Sequence, residues 1–193
     1  MSFTPSWRSY QISYDMTTDV LEVIKSQGLQ CFINVIMEDT LVIYHQELKN
    51  EAEINIYQHL YSSPYRNYLY AELPHGQSCV YLMLIDETKQ IKALTDSLEQ
   101  LGYSEHLRLV HYESLEYPGY SYMKIYNRNA MKENMIEYLN ESLNCTEMVT
   151  FGTIEGRYDY VIHDVGKPDQ VVRQVKKLFM PLWLPWKKNR VGG

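Results

Sequence analysis

The chain has 193 residues, room for one ordinary domain or one domain with an appendage. Its 45% hydrophobic content supports a sizeable core, and its 22% charged residues are an ordinary share for a globular protein. The net charge of −6, with both signs interspersed, argues against a dedicated nucleic-acid binder, which would carry a basic face.

Taken in chain order, the pattern alternates between period-2 and helical segments. Residues 8–14 read as a short strand and 15–27 as a helix. Asp15 or Thr17 is its expected cap, Val20, Leu21 and Ile24 its inner face, and Gly28 its left-handed stop. Residues 30–37 and 41–46 read as a hairpin turning at Glu38 and Asp39. A weaker helix over 51–60 is broken by Pro64 after two serines. Strands over 67–71 and 80–85 flank the turn at Pro74, His75 and Gly76.

Residues 89–101 form a clean amphipathic pattern. Ile91, Leu94, Leu98 and Leu101 share a stripe, and Gly102 ends it. Strands follow over 107–112 and 120–126 around Pro118 and Gly119, then a helix over 130–143. Short buried strands are expected at 148–151 and 159–162, and a last helix at 167–179. Pro168 and Asp169 near that helix's start, with Lys176 and Lys177 near its end, suit the helix dipole.

Cys31, Cys79 and Cys145 are far apart and odd in number, with neither a CxxC pair nor a disulfide framework. That points to a reducing, cytoplasmic setting. The first ten residues lack the apolar core of a signal peptide, and no apolar run approaches the roughly 20 residues that span a bilayer. The eighteen tyrosines read first as strand formers with half-buried rings, and second as a stacking platform for bases or sugars.

Three runs in order resemble the Cof-type branch of the haloacid dehalogenase superfamily. Ala130-Met131-Lys132-Glu133 is similar to that family's helix opening Ala-Ser-Lys-Gly. The run from Phe151-Gly152-Thr153 to Arg157 stands where its strand ends in Phe-Gly-Asp-x-x-Asn-Asp. Val165 to Val171, with Pro168, stands where Asn-Ala-x-Pro-Glu-Val precedes its last helix. The resemblance implies an α/β architecture with three parts. Residues 1–126 would be a large α/β cap with an open antiparallel sheet and helices on one face. Residues 127–180 would be a truncated remnant of a Rossmann-like core, with the N-terminal catalytic part absent, and 181–193 a tail. In the tail, Trp183 and Trp186 precede Lys187, Lys188 and Arg190, which reads as an arm packed on the core remnant.

By the resemblance, phosphoryl transfer in the family needs an Asp-x-Asp nucleophile and acid on the first core strand, and magnesium held partly by the later acidic loop. Magnesium takes hard oxygen ligands and neutralises the phosphate. No Asp-x-Asp follows an apolar strand here; the nearest mimic, Asp86-Glu87-Thr88, lies in the cap-like block. Thr153 and Arg157 take the places of the two loop acids. A guanidinium about 4 Å from even one positive charge costs ~4 kcal/mol at an effective dielectric of about 20. Lys132 matches the phosphate-binding lysine, and with the acids gone reads as a solvated helix lysine. Lys132, Gly152, Thr153 and Arg157 are therefore vestigial positions. Asp159 and Asp164 are displaced candidates for rescuing acids, two and seven residues past the loop's end at Arg157. The six histidines, His106 and His111 included, show no metal-ligand spacing.

The expectation is a catalytically inactive, phosphatase-like protein that serves as a binding or interaction module, without catalytic residues or cofactor. Magnesium would enter only if a partner restored the acidic site. A remnant of about 55 residues holds little core of its own, so a second copy or a protein partner is expected to cover its strand edges. One alternative is half of a split sugar-phosphate or small-molecule phosphatase completed by a partner chain. Another is a small-ligand regulatory domain with ferredoxin-like pairing.

Overall fold

The computed structural model describes residues 10–37, 40–144, 149–152, 158–163 and 166–183. They fall in two compact units, Met1–Tyr138 and Leu139–Gly193. The first begins at a single antiparallel bridge between Ile12 and Cys79, where a strand over 8–14 is expected. The extended run stops there because Ser13 already caps a helix, α1 (Tyr14–Ser26). Its hydroxyl accepts from the Met16 N–H at 3.3 Å, so the cap lies before Asp15 and Thr17. Gly28 ends the helix at φ +74°, as its position after the apolar stripe foretells.

The strands β1 (Phe32–Met37) and β2 (Thr40–His45) form the expected hairpin, and its turn at 38–39 lies outside the described residues. Helix α2 (Glu51–Tyr61) follows, then β3 (Arg66–Tyr70), β4 (Tyr81–Glu87), α3 (Thr88–Gln100), β5 (Leu107–Glu113) and β6 (Tyr120–Asn127). The six strands make one sheet in the order β3-β2-β1-β4-β6-β5. Every neighbour is antiparallel except β2 and β3, which run parallel because α2 is the crossover between them. Strands β4 and β5, joined through α3, run in the same direction with β6 inserted between them, which is one split βαβ unit of the ferredoxin-like kind.

Strand alternation divides the sheet's faces. Ile33, Val35, Val42, Tyr44, Leu82, Leu84, Met123 and Ile125 point to one face. There they meet Val20 and Ile24 of α1 and Ile91, Leu94 and Leu98 of α3. Burying each of these side chains contributes on the order of 1.5–3 kcal/mol before entropy is subtracted. Helix α2 departs from the expected one-sided layout: Ala52 and Ile56 pack with Ile85, Met83 and Tyr122 on the opposite face. The fold is thus mixed α/β with a mostly antiparallel sheet.

Helix α4 (Lys132–Leu143) runs across the boundary between the units. In the second unit, β7 (Phe151–Gly152) pairs in parallel with β8 (Tyr160–Val161), and α5 (Pro168–Trp183) follows. These strands are not the buried ones expected. Phe151 and Tyr160 are more than a third exposed and stack on each other at 5.4 Å, while Ile162 just beyond them is buried. Gln174 of α5 holds both backbone groups of His163, accepting from its N–H and donating to its carbonyl. Among the described residues, no helix is long and apolar enough to cross a membrane.

Candidate functional site

Of the four vestigial positions, Lys132 is the exposed first residue of α4 in the first unit. Gly152 closes β7 in the second unit. Thr153 and Arg157 lie outside the described residues. Gly152 has a local reason to lack a side chain: a Cβ there would run into the Tyr158 ring. Asp159 is engaged between its own strands. Its Oδ2 accepts from the Thr150 N–H and hydroxyl, both at 2.8 Å, and those bonds lower its pKa. Asp164 lies outside the described residues.

The Asp-Glu-Thr mimic is equally occupied with structure. Asp86 lies in β4; one oxygen accepts from the Glu87 N–H at 2.7 Å, the other from the Asn50 side-chain amide at 3.3 Å. Asn50 also donates to the Ile85 carbonyl, so the pair fastens the start of α2 to β4. Thr88 donates to the Gly119 carbonyl and meets the Ser121 hydroxyl. Among the described residues, no three His, Cys, Asp or Glu side chains converge to hold a metal ion.

What the structure does assemble is an aromatic sheet face. Register puts Tyr68, Tyr70, Tyr81, Tyr112, Tyr122 and Tyr126 on the side opposite α1 and α3. Helix α2 crosses this face through Ile56. On its β3 side, Tyr57, Tyr68, Phe32 and the buried His45 make a closed ring cluster, Tyr57 meeting Tyr68 edge-on at 5.3 Å.

On its β5 side lies a hollow of about 490 Å³. Ile56, His59 and Leu60 of α2 form one wall, Met83, Tyr122, Lys124 and Tyr112 the floor, and Glu116 and Tyr117 the rim. Tyr112 and Tyr122 stack at 5.4 Å and 27°. The Lys124 Nζ stands 5.7 Å from the Tyr112 ring centroid. Burial alone would depress its ammonium; the Tyr112 hydroxyl, with Tyr126 and Tyr81 nearby, outweighs that and holds its pKa above the ordinary lysine value. Burial, with Glu116 close by, pushes the Tyr122 phenol up. The hollow therefore favours the protonated form of the Lys124 amine and of the Tyr122 phenol.

A narrower hollow of about 170 Å³ lies beside α1 and includes Cys31 in its lining. Burial pushes that thiol far above the ordinary cysteine range, which makes it a poor nucleophile. The tyrosines were visible in the sequence; their convergence with Lys124 was not, because it depends on cross-strand register.

A comparison with curated proteins returns no match. Among solved structures, the chain is similar to the crystal structure of SMU.1108c from Streptococcus mutans UA159, at 17% identity and a TM-score of 0.50. That likeness is one of fold; it covers 86% of this chain, and the chain spans 61% of that protein's length. The family model of haloacid dehalogenase-like hydrolases matches residues 6–153, well over half of the chain, and the chain belongs to that family.

Proposed function

We propose that this protein is a catalytically silent, Cof-type member of its family that works as a binding module. The observation that carries the reading is the state of the carboxylates. The 193 residues hold no Asp-x-Asp, and Thr153 and Arg157 stand in the places of the loop acids. Of the acids nearest those motifs, Asp86 has both oxygens bonded to backbone and side-chain donors, and Asp159 has its Oδ2 bonded to the Thr150 N–H and hydroxyl. The family's magnesium does not fit this donor set. A hydroxyl and a guanidinium neither neutralise nor ligate a divalent ion as carboxylates do. No phosphoryl-transfer step is therefore assigned to these residues.

In this reading, residues 1–126 are a working cap, 127–180 a core-like remnant and 181–193 a tail. A second copy or another protein covers the remnant, and the setting is cytoplasmic. A split phosphatase completed by a partner is the weaker reading, because that partner would have to supply metal ligands as well as the nucleophile. Purified protein with p-nitrophenyl phosphate and magnesium is expected to release no p-nitrophenol above a protein-free control. Turnover that depends on magnesium and disappears in Lys132→Ala would overturn the proposal.

A further inference from the structure

The hollow beside α2 has a chemical character that the silent catalytic positions do not explain. Its volume of about 490 Å³ suits a small ligand. Its floor combines a thioether, Met83, with the stacked rings of Tyr112 and Tyr122, and its wall is aliphatic at Ile56 and Leu60. Such a surface takes a flat ring by stacking and dispersion. One ammonium, Lys124, stands on the same floor, half-buried and beside Tyr112. It has three donors, and an anion accepts from an ammonium more strongly than a neutral group does. At the rim, Glu116 is exposed and negative. It opposes a second or third negative group reaching out of the hollow.

We propose that this hollow binds a small molecule joining a flat ring to a single anionic group, of the class of a nucleoside monophosphate. The ring lies against Tyr112, Tyr122 and Met83, and the phosphate accepts from Lys124. The proposal rests on the binding-module reading and gives that module its ligand class. Lys124 and the tyrosines hold the ligand and leave it intact.

Isothermal titration of the full chain with AMP, adenosine and ribose 5-phosphate tests each half of the recognition. AMP is expected to bind saturably, with adenosine and ribose 5-phosphate each weaker by about tenfold or more, ~1.4 kcal/mol. Lys124→Met, which keeps the stem and removes the charge, is expected to weaken AMP by at least about tenfold with its melting temperature unchanged. Tyr112→Leu, on the edge strand β5 and 44% exposed, gives a second readout should Lys124→Met not fold. It is expected to weaken AMP and leave ribose 5-phosphate unaltered.

Absence of AMP binding overturns the site, as does ribose 5-phosphate binding as tightly as AMP. So does a folded Lys124→Met that binds AMP like the parent. Phosphate release from AMP, measured in the same samples, separates the two proposals. Release would end catalytic silence while binding that depends on Lys124 kept the site. No binding and no release would remove the site and leave silence standing.

Discussion

Glu53 is a carboxylate with 2% of its surface exposed, and one of its oxygens accepts two backbone bonds. Its Oε2 accepts from the Lys49 N–H at 2.6 Å and the Asn50 N–H at 3.3 Å, while Asn50 Oδ1 accepts from the Glu53 N–H. This reciprocal capping box starts α2. Burial raises the Glu53 pKa above its ordinary 4.5, outweighing those N–H bonds, and Asp86 nearby pushes the same way. The sign follows. Below 4.5 both folded and unfolded chains are protonated; as pH rises past it the unfolded chain loses its proton first, so stability falls until the folded carboxyl ionises too. Glu53→Gln keeps an acceptor and removes the titration. Urea unfolding of both proteins across pH 4 to 8 is expected to show the Gln variant gaining relative to the parent from about pH 4.5 upward. A constant difference would show that Glu53 does not titrate as its burial demands. Glu53→Ala, which strands two N–H groups, is expected to cost about 1–3 kcal/mol at every pH.

At the scale of elements, α3 is the one whose sequence and structure agree most closely. Ile91, Leu94 and Leu98 recur at helical spacing and are buried against the sheet, whereas Leu101, expected on the same stripe, lies past the helix's last residue and is exposed. Leu94→Ala is expected to cost about 2–5 kcal/mol in chemical denaturation, since the packed surroundings of Leu82, Leu84 and Met123 leave a cavity. A loss under ~1 kcal/mol would mean the site collapses around the gap.

The strands were legible as short apolar runs between turn signals, but in Leu82-Met83-Leu84-Ile85 every residue is apolar, so the pattern gives extension and leaves the face open. What local pattern lacks is placement. A helix as weakly amphipathic as α2 says nothing of which face it covers, and it took the one opposite α1 and α3. The Asn50-to-Glu53 spacing is a readable capping signal, yet its coupling to β4 through Asp86 is a tertiary fact. The candidate site was hidden more deeply. Tyr112 and Tyr122 are cross-strand partners only because β5 and β6 pair in this register. Conversely, the replacement of loop acids by Thr153 and Arg157 is an expectation of the sequence alone, and both residues lie outside the described ones.

At the scale of the molecule, the first unit's core offers its own reporter of global opening. Cys79 is fully buried, its N–H and carbonyl both bonded to Ile12 and its sulfur 3.3 Å from the Thr17 hydroxyl. Burial pushes its pKa up to about 11, so at neutral pH it is a protonated thiol with no access to reagent. It packs in the same cluster as Leu94, Leu84 and Val20, so exposing it requires that cluster to come apart. In a Cys31→Ala, Cys145→Ser background, a disulfide reagent is expected to leave Cys79 unlabelled in the native state and label it rapidly in denaturant. If opening and closing outpace labelling, the rate tracks the equilibrium population of open molecules. Adding Leu94→Ala should then accelerate labelling by about tenfold for each ~1.4 kcal/mol that it removes from the unfolding free energy. Matching factors would mean that α1, α3 and the sheet open as one unit. Labelling much faster than denaturation allows, and unmoved by Leu94→Ala, would mean that the Ile12–Cys79 bridge frays by itself, leaving the rest of the sheet in place.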